Sequence, residues 1–150
     1  FYDCQCEALS TYVTKDELVE KIKQYSTCIP VLIGCVDNDA TRKLLESTFH
    51  QLPQAIYLDS ANFEFQGNIY AAVKDEETIS GPLRGETYKL ESDIHPAEKS
   101  CQEQAAEGNT QYLITNLKMA MCLLEHCHAI LTGKMKVGVT YAERFAEVHL

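Results

Sequence analysis

Residues 29–36 (Ile-Pro-Val-Leu-Ile-Gly-Cys-Val) form a nearly continuous apolar run, rich in β-branched side chains, that stops at Asp37-Asn38-Asp39. Such a run, without alternation, reads as a strand buried on both faces, the kind that parallel sheets use. The three polar residues after it are favourable helix N-caps. Leu44, Leu45, Thr48 and Phe49 then recur at helical spacing, with Arg42, Lys43 and Glu46 outside the stripe, and Pro53 stops the helix. Residues 55–58 make a second short apolar run that ends in Asp59-Ser60. Strand, polar cap, amphipathic helix, strand is the half-unit of an open α/β sheet. Ligands in such sheets sit beyond the carboxyl ends of the parallel strands, and two acidic tips, Asp37 and Asp59, are expected at that edge.

The remainder builds around this unit. Thr14-Lys15-Asp16-Glu17 is a capping box ahead of a helix over 15–25, with residues 1–8 as a preceding strand. Residues 63–74 read as a further strand, in which Gly67 marks a bulge or a close approach. The polar stretch 74–100, broken by Gly81-Pro82 and His95-Pro96, reads as a functional loop or crossover, with room for a short strand at 88–90. Asn109 or Thr110 caps the longest helix, over 111–131, which is apolar nearly all round and therefore expected in the middle of a domain or at a subunit interface. Gly133 ends it, and 134–140 and 144–149 read as two closing strands. The expected architecture is one α/β domain over 1–150, with an open, Rossmann-like mixed sheet flanked by helices and a long buried helix near the C-terminus.

Charge and cysteine usage exclude several classes. Thirteen Lys and Arg face 22 Asp and Glu, a net charge of −9. Nucleic-acid affinity rests on cations that neutralise phosphates, so a polynucleotide is not expected as a partner. No run of about 18 uncharged apolar residues occurs, so no spanning helix and no membrane partner are expected. Seven cysteines without a secretory leader argue against a disulfide framework, and no C-x-x-C pair suggests a zinc knuckle. A cytoplasmic location is the expectation. Cys35, Cys122 and Cys127 lie in apolar runs and read as core residues. Cys101, among Lys99, Ser100, Gln102 and Glu103, reads as partly exposed.

Two residues stand out chemically. Asp37, at a strand tip before a helix, can hold a divalent cation that bridges phosphates, or it can belong to the helix cap. Cys101 can act as a thiolate nucleophile with its pKa lowered by Lys99, or be an inert surface thiol. His126 and His128 are two apart on one helix and face different ways, a poor arrangement for a metal. Neither G-x-G-x-x-G nor G-x-x-x-x-G-K occurs in the 150 residues.

Gly34-Cys35-Val36-Asp37-Asn38-Asp39-Ala40-Thr41-Arg42 resembles the C-[TV]-D-N-x-x-x-R segment of the ThiF/MoeB/HesA superfamily, relatives of ubiquitin-activating enzymes. Ile56-Tyr57-Leu58-Asp59-Ser60-Ala61 and Gln66-Gly67-Asn68-Ile69-Tyr70 resemble the family's next strand, turn and strand. Ser100-Cys101-Gln102-Glu103 resembles its S-C-A-E segment, and the helix with Gln111 and Asn116 its following helix. The resemblance spans about residues 28–132. It implies ATP-dependent adenylation of the C-terminal carboxylate of a small ubiquitin-like or sulfur-carrier protein that ends in Gly-Gly, with Mg2+ as cofactor and a homodimer as the assembly. Asp37 corresponds to the magnesium-coordinating aspartate. Asn38 and Arg42 support the nucleotide site or hold that aspartate, and Cys101 matches a cysteine that accepts the acyl group in some members. The family's Gly-rich loop, ribose-binding acid and catalytic Arg and Lys have no counterpart here. With Phe1 in place of Met, the chain is expected to be the C-terminal part of such a domain and inactive alone. A catalytically silent ThiF-like module for dimerisation or docking is the alternative expectation.

Overall fold

The computed structural model describes residues 7–25, 27–90, 113–143 and 146–150. The elements are α1 (Lys15–Lys23), β1 (Val31–Gly34), α2 (Asp39–Gln51), β2 (Gln54–Asn62), β3 (Gln66–Asp75), β4 (Thr78–Ser80), α3 (Arg84–Thr87), α4 (Leu113–Leu131), β5 (Gly138–Glu143) and β6 (Ala146–His149). They form an α/β fold on one open, mixed sheet in the order β1-β2-β3-β5-β6, with β4 paired to β3. β1 and β2 are parallel, joined through α2 with Gly34 opposite Asp59, and the other pairs are antiparallel.

Alternation along the strands divides the interior in two. On one face Leu32, Ala55, Tyr57, Tyr70, Ala72 and Val139 pack with Phe49 and Leu52 at the end of α2 and with Leu83. On the other, Leu58, Ile69, Ala71 and Ala142 meet Met119 and Cys122 of α4. The capping box forms as the sequence predicts. The Glu17 N–H donates to the Thr14 hydroxyl, and the Thr14 N–H donates to Glu17 Oε2 at 2.7 Å. α4 ends in a Schellman motif, in which the Lys134 N–H donates to the Ala129 carbonyl and the Gly133 N–H to the Ile130 carbonyl.

Several expectations change. β1 is half-buried rather than buried on both faces: Leu32 and Gly34 face α2, while Val31 and Ile33 are exposed because α4 lies over β2, β3 and β5. Cys35, one residue beyond β1, is exposed for the same reason and is not a core residue. The strand expected at 55–58 runs to Asn62, which puts Asp59 inside the sheet instead of at its tip. The stretch after residue 74 holds β4 and α3, and 88–90 is not a strand. α4 buries only one side. The expected caps Asn109 and Thr110, and residues 1–6, lie outside the described residues. Among the described residues no helix is long and apolar enough to cross a membrane.

Gly67 is a site of close approach. A Cβ there would stand 2.8 Å from Met119 Cγ and 2.7 Å from the Ala61 carbonyl oxygen, and closer still to Met119 Sδ. Gly67→Ala is expected to destabilise the fold by roughly 1–3 kcal/mol, read from urea unfolding; a neutral variant would show that α4 yields there freely.

His126 Nε2 shares the Thr140 hydroxyl (2.9 Å) with His149 Nδ1 (2.9 Å). Burial, and then His149, push the His126 pKa below its ordinary 6.5 against the pull of Glu147 and Glu125. The folded pKa lies below the unfolded one, so as pH falls the unfolded chain takes the proton first and stability is lost from about pH 6.5 downward. The melting temperature should drop between about pH 7.5 and about pH 5.5, and His126→Gln should flatten that drop. Parallel curves for the two proteins would remove His126 from the dependence.

Candidate functional site

The carboxyl ends of β1 and β2 lie side by side, and the chain leaves β1 through Cys35 and Val36 to reach Asp37. Asn38 is the N-cap of α2: its side chain accepts from the Thr41 N–H at 2.8 Å. The cap role thus falls to Asn38, and Asp37 stays outside it. The Asp37 carboxylate is exposed, with Asn38 Nδ2 donating to its Oδ1 at 3.5 Å.

Asp37 lines two clefts. The larger, about 660 Å³, opens toward α4 between Asp37, Thr41, Ser60, Asn62, Asn116 and Leu123. Asn62 Nδ2 donates to Asn116 Oδ1 at its edge. The smaller, about 260 Å³, opens on the α2 side, where Asp37 and Asp39 face Arg42, Arg84, Tyr88 and Lys89. A third cavity of about 450 Å³, between Phe65, Met119 and the start of α4, is mostly apolar and gathers no comparable polar set.

Behind this rim lies a buried ionic cluster. Asp59 is fully buried. Arg42 Nη1 donates to both its oxygens, at 2.7 and 2.6 Å, and Arg84 Nε donates to Oδ2. Arg84 also donates to Asn68 Oδ1 at 2.7 Å and to the Asp59 carbonyl at 3.0 Å, and its guanidinium lies 4.5 Å from the centroid of the Tyr70 ring. Arg42 Nη2 donates to the Val36 carbonyl. Gly34 makes room for this cluster, since a Cβ there would stand 2.7 Å from Asp59 Oδ1. Glu46 of α2 links α3 to it by accepting from the Gly85 N–H at 2.7 Å. Among the described residues no buried side-chain nitrogen or oxygen lacks a partner.

The sequence-predicted residues therefore separate. Asp37 and Asn38 stand together at the rim. Arg42 grips Asp59 and not Asp37, reaching the Asp37 loop only through the Val36 carbonyl. Asp59 is a structural anion. Cys101 lies outside the described residues. Of the other thiols, burial and then the hydrogen bond from its Sγ to Glu147 Oε2 (3.2 Å) push Cys122 up to about 12, so it is no thiolate near neutrality. Burial raises the Tyr57 phenol as well, with the Asp59 charge adding to it. Sequence reasoning missed Arg84 and Asn68. The available signal was Pro82, which favours a chain turn at the sheet edge just before an arginine.

Among the described residues no group of three or more His, Cys, Asp or Glu side chains is placed to hold a metal ion. Asp37 is therefore not part of a ready-made protein cage; its exposed carboxylate could supply a cation with one oxygen ligand only. Comparison with family models, with curated proteins and with solved structures gave no match to this chain.

The two aspartates should respond very differently to the same change. Asp59→Asn leaves two buried guanidiniums without their anion and is expected to cost roughly 3–5 kcal/mol. Asp37→Asn, at an exposed position outside the cap, is expected to fall within about 0.5 kcal/mol of the parent. Urea unfolding of both variants checks this; equal losses would refute the division of roles.

Proposed function

We propose that this chain carries the acidic part of an adenylation site of ThiF type. Such a site activates the C-terminal carboxylate of a small ubiquitin-like or sulfur-carrier protein with ATP. The observation that carries the reading is the placement of Asp37: an exposed carboxylate outside the helix cap, at the carboxyl ends of a parallel strand pair, lining an open cleft. The ordered resemblance of residues 34–42, 56–61, 66–70 and 100–103 supports it.

In this reading a carboxylate oxygen of the protein substrate attacks the α-phosphorus of ATP. The bond from that phosphorus to the bridging oxygen breaks, and pyrophosphate leaves. Asp37 would supply one oxygen ligand to a Mg2+ ion, which would spread the charge of the phosphates; Asn38 fixes the start of α2 beside Asp37, and Arg42 positions the loop through the Val36 carbonyl. Cys101 then accepts the acyl group: its sulfur attacks the acyl carbon and AMP departs.

In this reading the phosphate cradle comes from elsewhere, because both arginines at the rim, Arg42 and Arg84, are committed to Asp59 and no Gly-rich loop occurs in these residues. The 150-residue chain alone is therefore expected to give no ATP–pyrophosphate exchange, and exchange by the isolated chain would overturn this division of the site. In a protein where the chain is joined to a segment bearing G-x-G-x-x-G, Asp37→Asn should lower exchange by about 10²–10³-fold with the fold unchanged. An unaltered exchange rate would take Asp37 out of the mechanism. A thiol-sensitive adduct between Cys101 and the partner protein tests the second step; adenylate without that adduct would end the assignment of Cys101.

A further inference from the structure

Two thiols that the proposed adenylation does not use face each other beside the larger cleft. Gly34 lies opposite Asp59 and faces α2. The next side chain along the chain turns to the other face, and Cys35 accordingly lines the cleft together with Ala120 and Leu123 of α4. Cys127 stands one turn beyond Leu123 on the same side of that helix, half-buried against the core cluster that holds Leu58. Leu58 is in turn opposite Ile33, two residues before Cys35. The Cys127 thiol is near enough to oppose ionisation of Cys35. Both thiols are free, and Cys35 is exposed.

We propose that Cys35 and Cys127 are an oxidisable pair, and that their disulfide pins α4 to the end of β1 across the cleft beside Asp37. The oxidant is a low-molecular-weight disulfide such as oxidised glutathione. Cys35, the exposed member, loses its proton and attacks one glutathione sulfur. The glutathione S–S bond breaks, and one glutathione leaves as a thiolate that takes up a proton. Cys127 then loses its proton and attacks the Cys35 sulfur of the mixed disulfide, and the second glutathione leaves in the same way. Two protein thiols are oxidised, and one glutathione disulfide is reduced to two thiols. α4 lies over β2, β3 and β5, and a disulfide holds its two Cα atoms within about 7 Å of each other. The bond therefore draws the end of the helix toward β1 and narrows the cleft. Burial, then the Asp59 charge and Cys127, hold the Cys35 pKa above its ordinary value against the pull of Arg42. Little thiolate is present at neutral pH, so the pair closes slowly and its rate rises with pH. Cys122 does not compete, because its thiol is turned to Glu147 of β6, at the other edge of the described sheet.

This inference is independent of adenylation, and its test reads covalent mass instead of exchange. The 150-residue chain is incubated with oxidised glutathione, alkylated without reduction and mapped by peptide mass spectrometry. A peptide pair joined through Cys35 and Cys127 is expected. Its initial rate of formation should rise about tenfold per pH unit from neutral pH upward, following the thiolate. In Cys127→Ser, glutathione should remain on Cys35 as a lasting mixed disulfide. In Cys35→Ser, Cys127 should stay reduced. Oxidation of the parent chain should slow amide exchange over residues 35–38 and 120–127 and move its unfolding to higher urea concentration, because a long loop is closed. A parent chain that keeps glutathione on Cys35, or joins Cys35 to another cysteine while Cys127 stays reduced, overturns the proposal. So does a Cys35–Cys127 bond that leaves amide exchange at the cleft unchanged. Should Cys127→Ser fail to fold, the map of the parent chain decides.

Discussion

The fold depends most on one carboxylate that water never reaches. Asp59 sits in the middle of β2 with two guanidiniums closed on it, one from α2 and one from α3. Taking three ions out of water is costly, and their attraction offsets the cost only when the remaining donors and acceptors are also satisfied. Here the Val36 and Asp59 carbonyls and Asn68 take further guanidinium hydrogens. The cluster therefore ties β2, β3, α2 and α3 together at one point, and through Val36 it fixes the loop that leads to Asp37. Hydrophobic faces alone would allow these elements to slide; two guanidiniums that each bond the Asp59 carboxylate through one nitrogen and a backbone carbonyl through another do not.

Much of this frame was legible in the sequence. The apolar run ending in Asp37-Asn38-Asp39, the capping box at Thr14 and the glycines at 67 and 133 each report a local requirement, and local requirements survive folding. What the sequence hid were matters of which neighbour covers which face. The run 29–36 has the composition of a fully buried strand, yet β1 lies at the edge of the described sheet, and Val31, Ile33 and Cys35 are left bare. Asp59 looks like a strand tip because Ser60 follows it, yet the strand continues to Asn62 in register with β3. Arg84 carries only a faint mark in one dimension, the turn-favouring Pro82 two residues before it. Its role exists only once residues 59, 68 and 70 surround it.

The candidate site was legible in the same partial way. Three polar residues in a row leave open which is the cap, and the Asn38 side chain decides it by taking the Thr41 N–H. Asp37 is released from the cap by its neighbour, and that makes it available to a ligand. Arg42, four residues past the N-cap on α2, lies outside the apolar stripe on spacing, and the family resemblance implies a place for it at the nucleotide or beside Asp37. Its guanidinium instead points into the sheet because Gly34 leaves space there for the Asp59 carboxylate. The helix places Arg42 correctly for either role, and the packing against β1 selects one.

The sheet and the rim make different demands on α4, and its angular layout lets both be met. Met119 and Cys122 hold the helix on the sheet against Leu58, Ile69, Ala71 and Ala142. The cleft beside Asp37 uses Asn116 and Leu123, about a quarter turn from that buried stripe. The packing that fixes the helix therefore also sets Asn116 within reach of Asn62 at the cleft's edge, and the position of the rim follows from the apolar contacts behind it.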